Sequence, residues 1–171
     1  PHKTSGEPRP AENRPLRLGL IPSGNPDFLA TKLRDLDQSA LAALLELPDV
    51  QWTWLLPDKP PIAVDSLDVP HLSHNWLDTA VLMSQLDGVV SVDTGGAHLA
   101  GALGLPTLVL LPFTPDWRWG PSGERSAWYP SMRLLRESTP ASWPEVVARV
   151  PELLALWRRE TLFAYGPTTG R

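Results

Sequence analysis

The residues whose types and spacing could do chemistry lie between positions 88 and 111. Gly88-Val89-Val90-Ser91-Val92 is a buried-strand pattern that ends at Asp93, and the polar turn Thr94-Gly95-Gly96 follows it directly. Thr94 can cap a helix over 95–103, and two glycines in its first turn leave the free backbone N–H groups unshielded. An anion such as a phosphate can dock on those donors, helped by the helix dipole. The competing reading is an ordinary capped helix whose glycines allow close packing. Gly104 is expected to end the helix in a left-handed conformation, Pro106 prevents its resumption, and Thr107–Leu111 re-enters a sheet.

Neighbouring side chains carry two readings each. Asp93 either contacts a ligand or closes an Asx-type turn on the backbone. His98 stands one helical turn beyond Thr94, within reach of a phosphate, or is a satisfied, half-buried side chain. Ser23-Gly24-Asn25 forms a second polar turn after an apolar run, and Lys32 and Arg34 either neutralise an anion there or simply face solvent. Trp117, Arg118, Trp119, Trp128 and Tyr129 crowd one proline-rich loop, where aromatics either flank a base or sugar or brace the loop, bracing being the expected role. His71 and His74 have no metal-like partners.

The elements that must position these residues alternate. Strands are expected at Leu16–Ile21, Trp52–Leu56, Val69–Leu72, Val89–Val92, Thr107–Leu111 and Arg133–Arg136. Helices are expected from Asp37 to Leu47, with Leu41, Leu44 and Leu45 on one face, and from Trp76 to Leu86 with Asn75 as cap. Ser142-Trp143-Pro144-Glu145 reads as a capping box opening a last helix, which Pro151 kinks or splits. This alternation implies an α/β domain, a Rossmann-like parallel sheet with helices on both faces, whose ligands bind beyond the carboxyl ends of the strands. Both glycine turns belong on that edge. Residues 1–15 read as a proline-rich linker, 16–160 as the domain and 161–171 as a tail.

Composition narrows the function. The chain has 171 residues, a formal charge of −4 and no cysteine, which excludes disulfide scaffolds, thiolate metal sites and cysteine nucleophiles. No Lys/Arg cluster offers a nucleic-acid surface, and no apolar stretch reaches transmembrane length. The expectation is a soluble, cytoplasmic domain with no metal and no cofactor.

Ser91-Val92-Asp93-Thr94-Gly95-Gly96-Ala97-His98-Leu99-Ala100-Gly101-Ala102-Leu103-Gly104 resembles the donor-site motif of ADP-heptose:lipopolysaccharide heptosyltransferases. It resembles still more the glycosyltransferase domain that follows tetratricopeptide repeats in many bacterial proteins. Gly19-Leu20-Ile21-Pro22-Ser23-Gly24-Asn25-Pro26 agrees, as do Leu111–Trp119 and Ser126–Pro130, so the resemblance runs from about Leu16 to Leu156. It implies one half of a GT-B fold, the half that holds a nucleotide-sugar donor, in a metal-independent transferase acting on a glycan, lipopolysaccharide or protein. The implied donor contacts are Ser23, Gly24, Asn25, Lys32, Arg34, Asp93, Thr94, Gly95, Gly96 and His98. The implied partner is an upstream acceptor-binding or repeat domain of the same protein. No catalytic base is identifiable, and Asp58 is the nearest acidic candidate for a ribose contact.

Two other classes compete. One is a nucleotide-binding or interaction module that keeps the fold without catalysis. The other is a dinucleotide oxidoreductase, which the lack of G-x-G-x-x-G after the first strand argues against.

Overall fold

The computed structural model describes residues 14–25, 33–62, 64, 67–72 and 75–164, with side chains as far as residue 159. Six strands form one fully parallel sheet: β1 (Leu16–Ile21), β2 (Val50–Trp54), β3 (Leu67–Asp68), β4 (Gly88–Val92), β5 (Thr107–Leu111) and β6 (Met132–Arg136). Their spatial order is β3-β2-β1-β4-β5-β6. The helices are α1 (Gln38–Leu45), α2 (Trp76–Met83), α3 (Gly95–Ala102), α4 (Trp143–Ala148) and α5 (Val150–Ala164).

The strands sort their side chains by parity, as the two-residue pleat requires. Leu18, Leu20, Val90, Val92, Leu108 and Leu110 face one side, where they pack on Leu41 and Leu44 of α1, Val146 and Val147 of α4, and Leu154 and Trp157 of α5. The other parity faces α2 and α3. There Ile21 and Val89 meet Met83 and Ala100, while Val109 and Leu111 meet Ala97, Met132 and Trp119. Helices therefore cover both faces, as the alternation of apolar and amphipathic segments implies. The whole of β4 and β5 is buried.

Local chemistry sets the element ends. Asp37 caps α1 by accepting from the Ala40 amide at 2.8 Å, and Asn75 caps α2 through the Leu77 amide at 2.9 Å. Gly104 adopts φ +70° after α3, the left-handed conformation expected of it. Pro151 lacks the N–H that would continue the preceding helix, and the chain divides into α4 and α5 there.

Three expectations are corrected. The short third strand lies at Leu67–Asp68, paired with Trp52 and Thr53, because Pro70 in the expected 69–72 segment has no amide to give the ladder. The capping box at Ser142 does not close. Ala141 sits at φ 60°, and the Ser142 hydroxyl turns back to donate to the Thr139 carbonyl at 2.7 Å. Glu145 accepts instead from the Ser138 hydroxyl at 2.6 Å. Lastly, α2 stops at Met83, short of the expected Leu86.

Arg14, from the expected linker, is bound into the domain, while residues 1–13 and 165–171 lie outside the described residues. Asp87, just before β4, accepts from both terminal nitrogens of Arg14 at 2.5 and 2.6 Å and from the Arg17 amide at 2.8 Å. Burial works to raise the Asp87 carboxyl, but the hydrogen bonds from Arg14 and Arg17 and their charges outweigh it and hold the group below its usual value. A carboxylate lowered by folding stabilises the fold above its unfolded pKa and loses that contribution as pH falls through the folded value. Asp87→Asn is therefore expected to cost about 2 kcal/mol at neutral pH. In urea melts the gap to wild type should close below about pH 4, where the unfolded carboxyl itself protonates.

Candidate functional site

In the observed strand order, β1 and β4 are neighbours from which the chain proceeds in opposite directions across the sheet. Beyond their carboxyl ends the connections diverge and a crevice opens, the usual ligand position in sheets of this type. Two glycine turns border it. One is Pro22-Ser23-Gly24-Asn25 after β1, and the other is Asp93-Thr94-Gly95-Gly96 between β4 and α3.

Thr94 has extended backbone angles, φ −146° and ψ 168°, and caps α3. Its carbonyl accepts from the amides of Ala97 at 3.1 Å and His98 at 3.4 Å, while its hydroxyl lies 3.4 Å from the Ala97 amide and 3.2 Å from the Ser91 hydroxyl. The first-turn amides that Thr94 does not take are those of Gly95 and Gly96, the positions where a helix start offers donors to a ligand. Gly95 is exposed and Gly96 buried. A Cβ on Gly95 would lie 2.9 Å from the Trp76 ring, and one on Gly96 would collide with the end of Ile21. At Gly96 a Cβ would meet the buried Ile21 side chain, whereas at Gly95 it would meet only the exposed Trp76 ring, beside an open face.

The second turn is fastened from below. The Gly24 amide donates to Asp35 Oδ1 at 2.8 Å, and Leu36 N donates to the Pro22 carbonyl at 2.9 Å. Burial pushes the Asp35 carboxyl up, opposed by the Gly24 hydrogen bond and the Arg34 charge.

Two clefts meet at these turns and share Gly24, Asn25, Thr94 and Gly95. The first, about 690 Å³, runs toward β2 and is walled by Leu41, Trp54, Leu55, Leu72 and Trp76, with Asp58 and Lys59 from the loop after β2. Trp76 lines it while 59% exposed. The second, about 540 Å³, runs toward β5 and is lined by Arg34, Asp93, Thr114, Asp116 and Arg118. Large apolar side chains wall the first cleft, whereas four charged residues, Arg34, Asp93, Asp116 and Arg118, stand among the lining of the second.

Asp93 is only 5% exposed. Arg34 Nη1 stands 3.3 Å from its carbonyl and 3.6 Å from its Oδ2, the latter an ion pair too long for a good hydrogen bond. Asp93 Oδ2 and Arg34 Nε are both buried with no hydrogen-bond partner. Such atoms are costly unless a ligand or water completes them.

Of the residues singled out by sequence, Ser23, Gly24, Asn25, Arg34, Asp93, Thr94, Gly95 and Gly96 come together at the two clefts. Lys32 lies outside the described residues. His98 lines neither cleft. Its ring stacks on Trp119 at 4.9 Å, and its Nδ1 lies 3.2 Å from the Tyr129 hydroxyl, among the aromatics expected to brace the loop. Sequence reading saw Trp76 only as a helix start, and it placed Arg118 in a loop read first as a brace and second as a base- or sugar-flanking segment. The signal for Arg118 was present in Asp116-Trp117-Arg118, where the aspartate caps a 3-10 turn and holds the arginine two positions on.

With the geometry in view, comparison with known proteins is informative. Residues 75–144, which contain the whole β4–α3 turn, match the family described as glycosyltransferase family 9 (heptosyltransferase). The chain is similar to that family over this stretch. No curated protein sequence matches it. Among solved structures, the E. coli heptosyltransferase WaaC with ADP is similar, with a TM-score of 0.50 at 16% identity over 81% of this chain and 44% of that one. The likeness is one of fold, the Rossmann-like α/β fold of that heptosyltransferase, and this chain spans less than half of its length. No helix among the described residues is long and apolar enough to cross a membrane.

The strained pair at the second cleft makes a stability prediction. Arg34→Ala leaves the buried Asp93 carboxylate without its cation and is expected to cost about 3 kcal/mol, far more than loss of an exposed arginine. Arg34→Ala combined with Asp93→Asn should recover part of that loss. Urea melts of the four proteins in this cycle measure the coupling.

Proposed function

We propose that this chain is the donor-binding domain of a glycosyltransferase and holds a nucleotide sugar across the β1/β4 crevice. The observation that carries the reading is the meeting, at the N-terminus of α3, of a cleft walled by Trp54, Leu55 and Trp76 with one that holds two arginines and two aspartates among its described residues. A nucleotide sugar likewise has three parts in a row. The base and ribose fit the first cleft, walled by Trp54, Leu55 and Trp76 and edged by Asp58 as the ribose-contacting acid. The diphosphate sits on the shared turns, Ser23-Gly24-Asn25 and Thr94-Gly95-Gly96, with Arg34 and Lys32 supplying full positive charge. The sugar extends toward Asp93. His98 supports the turn through α3 and its aromatic stack. The family similarity over 75–144 supports this reading, and so does the ADP in the similar heptosyltransferase structure.

Chemically, sugar transfer breaks the bond between the sugar and the diphosphate, and negative charge grows on the departing oxygens. Backbone donors and a helix dipole fixed in advance at that point lower the barrier without reorganising. The acceptor and the base that takes its proton come, in this proposal, from a second domain, because transfer needs both substrates oriented in one cleft. That domain is the upstream acceptor-binding or repeat domain of a bacterial, cytoplasmic protein. The acceptor is a glycan, lipopolysaccharide or protein.

The test is a thermal-shift series with ADP, UDP and GDP, their nucleosides and their sugar conjugates. A ligand bound only by the folded state raises the melting temperature with occupancy. At least one nucleoside diphosphate should do so while its nucleoside does so less. Gly95→Val should fold, since the exposed Trp76 ring can move aside, yet it should lose about tenfold or more in diphosphate affinity through blocked access to the turn. Unchanged affinity in folded Gly95→Val would remove the turn from the site. Absence of any nucleotide effect on the wild-type chain would overturn the donor reading.

A further inference from the structure

The segment after β5 forms one wall of the second cleft, and its construction is specific. Asp116 Oδ1 accepts from the Arg118 amide at 3.0 Å and from Arg118 Nη1 at 2.8 Å. The guanidinium carbon lies 4.8 Å from the Trp117 ring centroid, and Trp128 Nε1 donates to the Arg118 carbonyl at 2.9 Å. Arg136 anchors the same loop through the carbonyls of Trp119 at 2.5 Å and Gly123 at 3.0 Å, with the Trp119 side chain buried beneath. Arg118 is thus held in place before any ligand arrives. The Arg118 amide keeps the Asp116 carboxyl below its usual range, opposed by burial and helped by the guanidiniums of Arg118 and Arg34. Asp116 therefore stays charged, and it senses the Arg34 pair of the same cleft.

Among the described residues, the charges lining this cleft are two arginines and two aspartates. The diphosphate is held at the turns beside Arg34, whereas the Asp116–Arg118 pair on the wall after β5 presents no net charge, and an anion gains little from it. A neutral polyhydroxyl compound does gain, since each hydroxyl both donates and accepts. Asp93 and Arg34 line one side, where Asp93 Oδ2 and Arg34 Nε are buried without a hydrogen-bond partner. The Asp116–Arg118 pair offers a carboxylate and a planar fork of donors on the wall after β5.

We infer that Asp116 and Arg118 are the specificity-determining pair for the transferred sugar, binding vicinal hydroxyls of a neutral pyranose. This rests on the donor reading above but is separable from it, because it concerns the sugar and not the nucleotide. Neither residue touches the diphosphate, so removing either one discriminates between a nucleotide sugar and the bare nucleotide.

Isothermal titration of the 171-residue chain with ADP, UDP and GDP, and with ADP-glucose, UDP-glucose and GDP-mannose, tests this. For the nucleotide bound tightest, the sugar conjugate should bind more tightly than the diphosphate alone. Arg118→Ala should weaken the conjugate about tenfold and the diphosphate by less than about twofold. Arg118→Gln, which keeps the length of the side chain and some donors, should fall between, and it serves if the alanine variant misfolds. Asp116→Asn, which retains an oxygen for the Arg118 amide, should follow the same pattern. Equal loss on both ligands would make Arg118 a diphosphate or loop-bracing residue and overturn the inference. So would no loss on either, or a wild-type conjugate that binds no more tightly than its diphosphate. If wild type binds no nucleotide at all, the donor reading falls with it, an outcome distinct from the others.

Discussion

The organisation of the domain depends on the side-by-side pairing of β1 with β4. Leu18 to Ile21 pair with Gly88 to Ser91 in parallel register, so both strands end at the same edge, after which the chain turns away in opposite directions. The connections after β1 and β4 lead to opposite sides, which leaves a crevice between their carboxyl ends. Whatever follows these two strands is delivered to it. Here those are two glycine turns, one fastened by Asp35 and the other opening a helix. The anchorage of Asp87 by Arg14 and Arg17 at the opposite edge ties the starts of the same two strands, so the register that forms the crevice is set from both ends.

The ionisable side chains buried among the described residues, Asp93 and Glu137, both stand just past the carboxyl end of a strand. β4 and β5 are fully buried, and their side chains obey a strict inside alternation, yet immediately beyond β4 stand a buried aspartate with an unpartnered oxygen and an arginine with an unpartnered nitrogen. Folding alone would favour replacing them with apolar groups, since an incompletely satisfied buried pair is more costly than none. Their retention at the wall of a cleft is what a site for a polar ligand requires. In the proposed reading the parts of a nucleotide sugar are shared between the two clefts, with the backbone donors of α3 between them.

Much of this was legible in the sequence because it is local. β-Branched runs, a Thr-Gly-Gly turn, a Gly104 stop and a dividing Pro151 each act through neighbours in the chain, and the structure has them where the pattern places them. The strand order followed from the alternation only as a class, since parity says which face a residue takes but not which strand is its neighbour. The capping box at Ser142 failed because the left-handed Ala141 before it redirects the hydroxyl, a feature that residue identity does not announce. The surroundings of His98 and Arg118 were not legible for the same reason. Both sit near aromatic residues, and only the packed loop shows that His98 stacks on Trp119 while Arg118 lines the cleft.

The central claim is that the first turn of α3 is the anion-binding element. Its most direct test is the backbone amide spectrum of ¹⁵N-labelled protein titrated with a nucleoside diphosphate and, separately, with the parent nucleoside. The account predicts that the Gly95 and Gly96 amides move strongly with the diphosphate and little with the nucleoside, while amides at the far end of α3, such as Gly104, stay in place. Saturable binding of the diphosphate with Gly95 and Gly96 unmoved would contradict it.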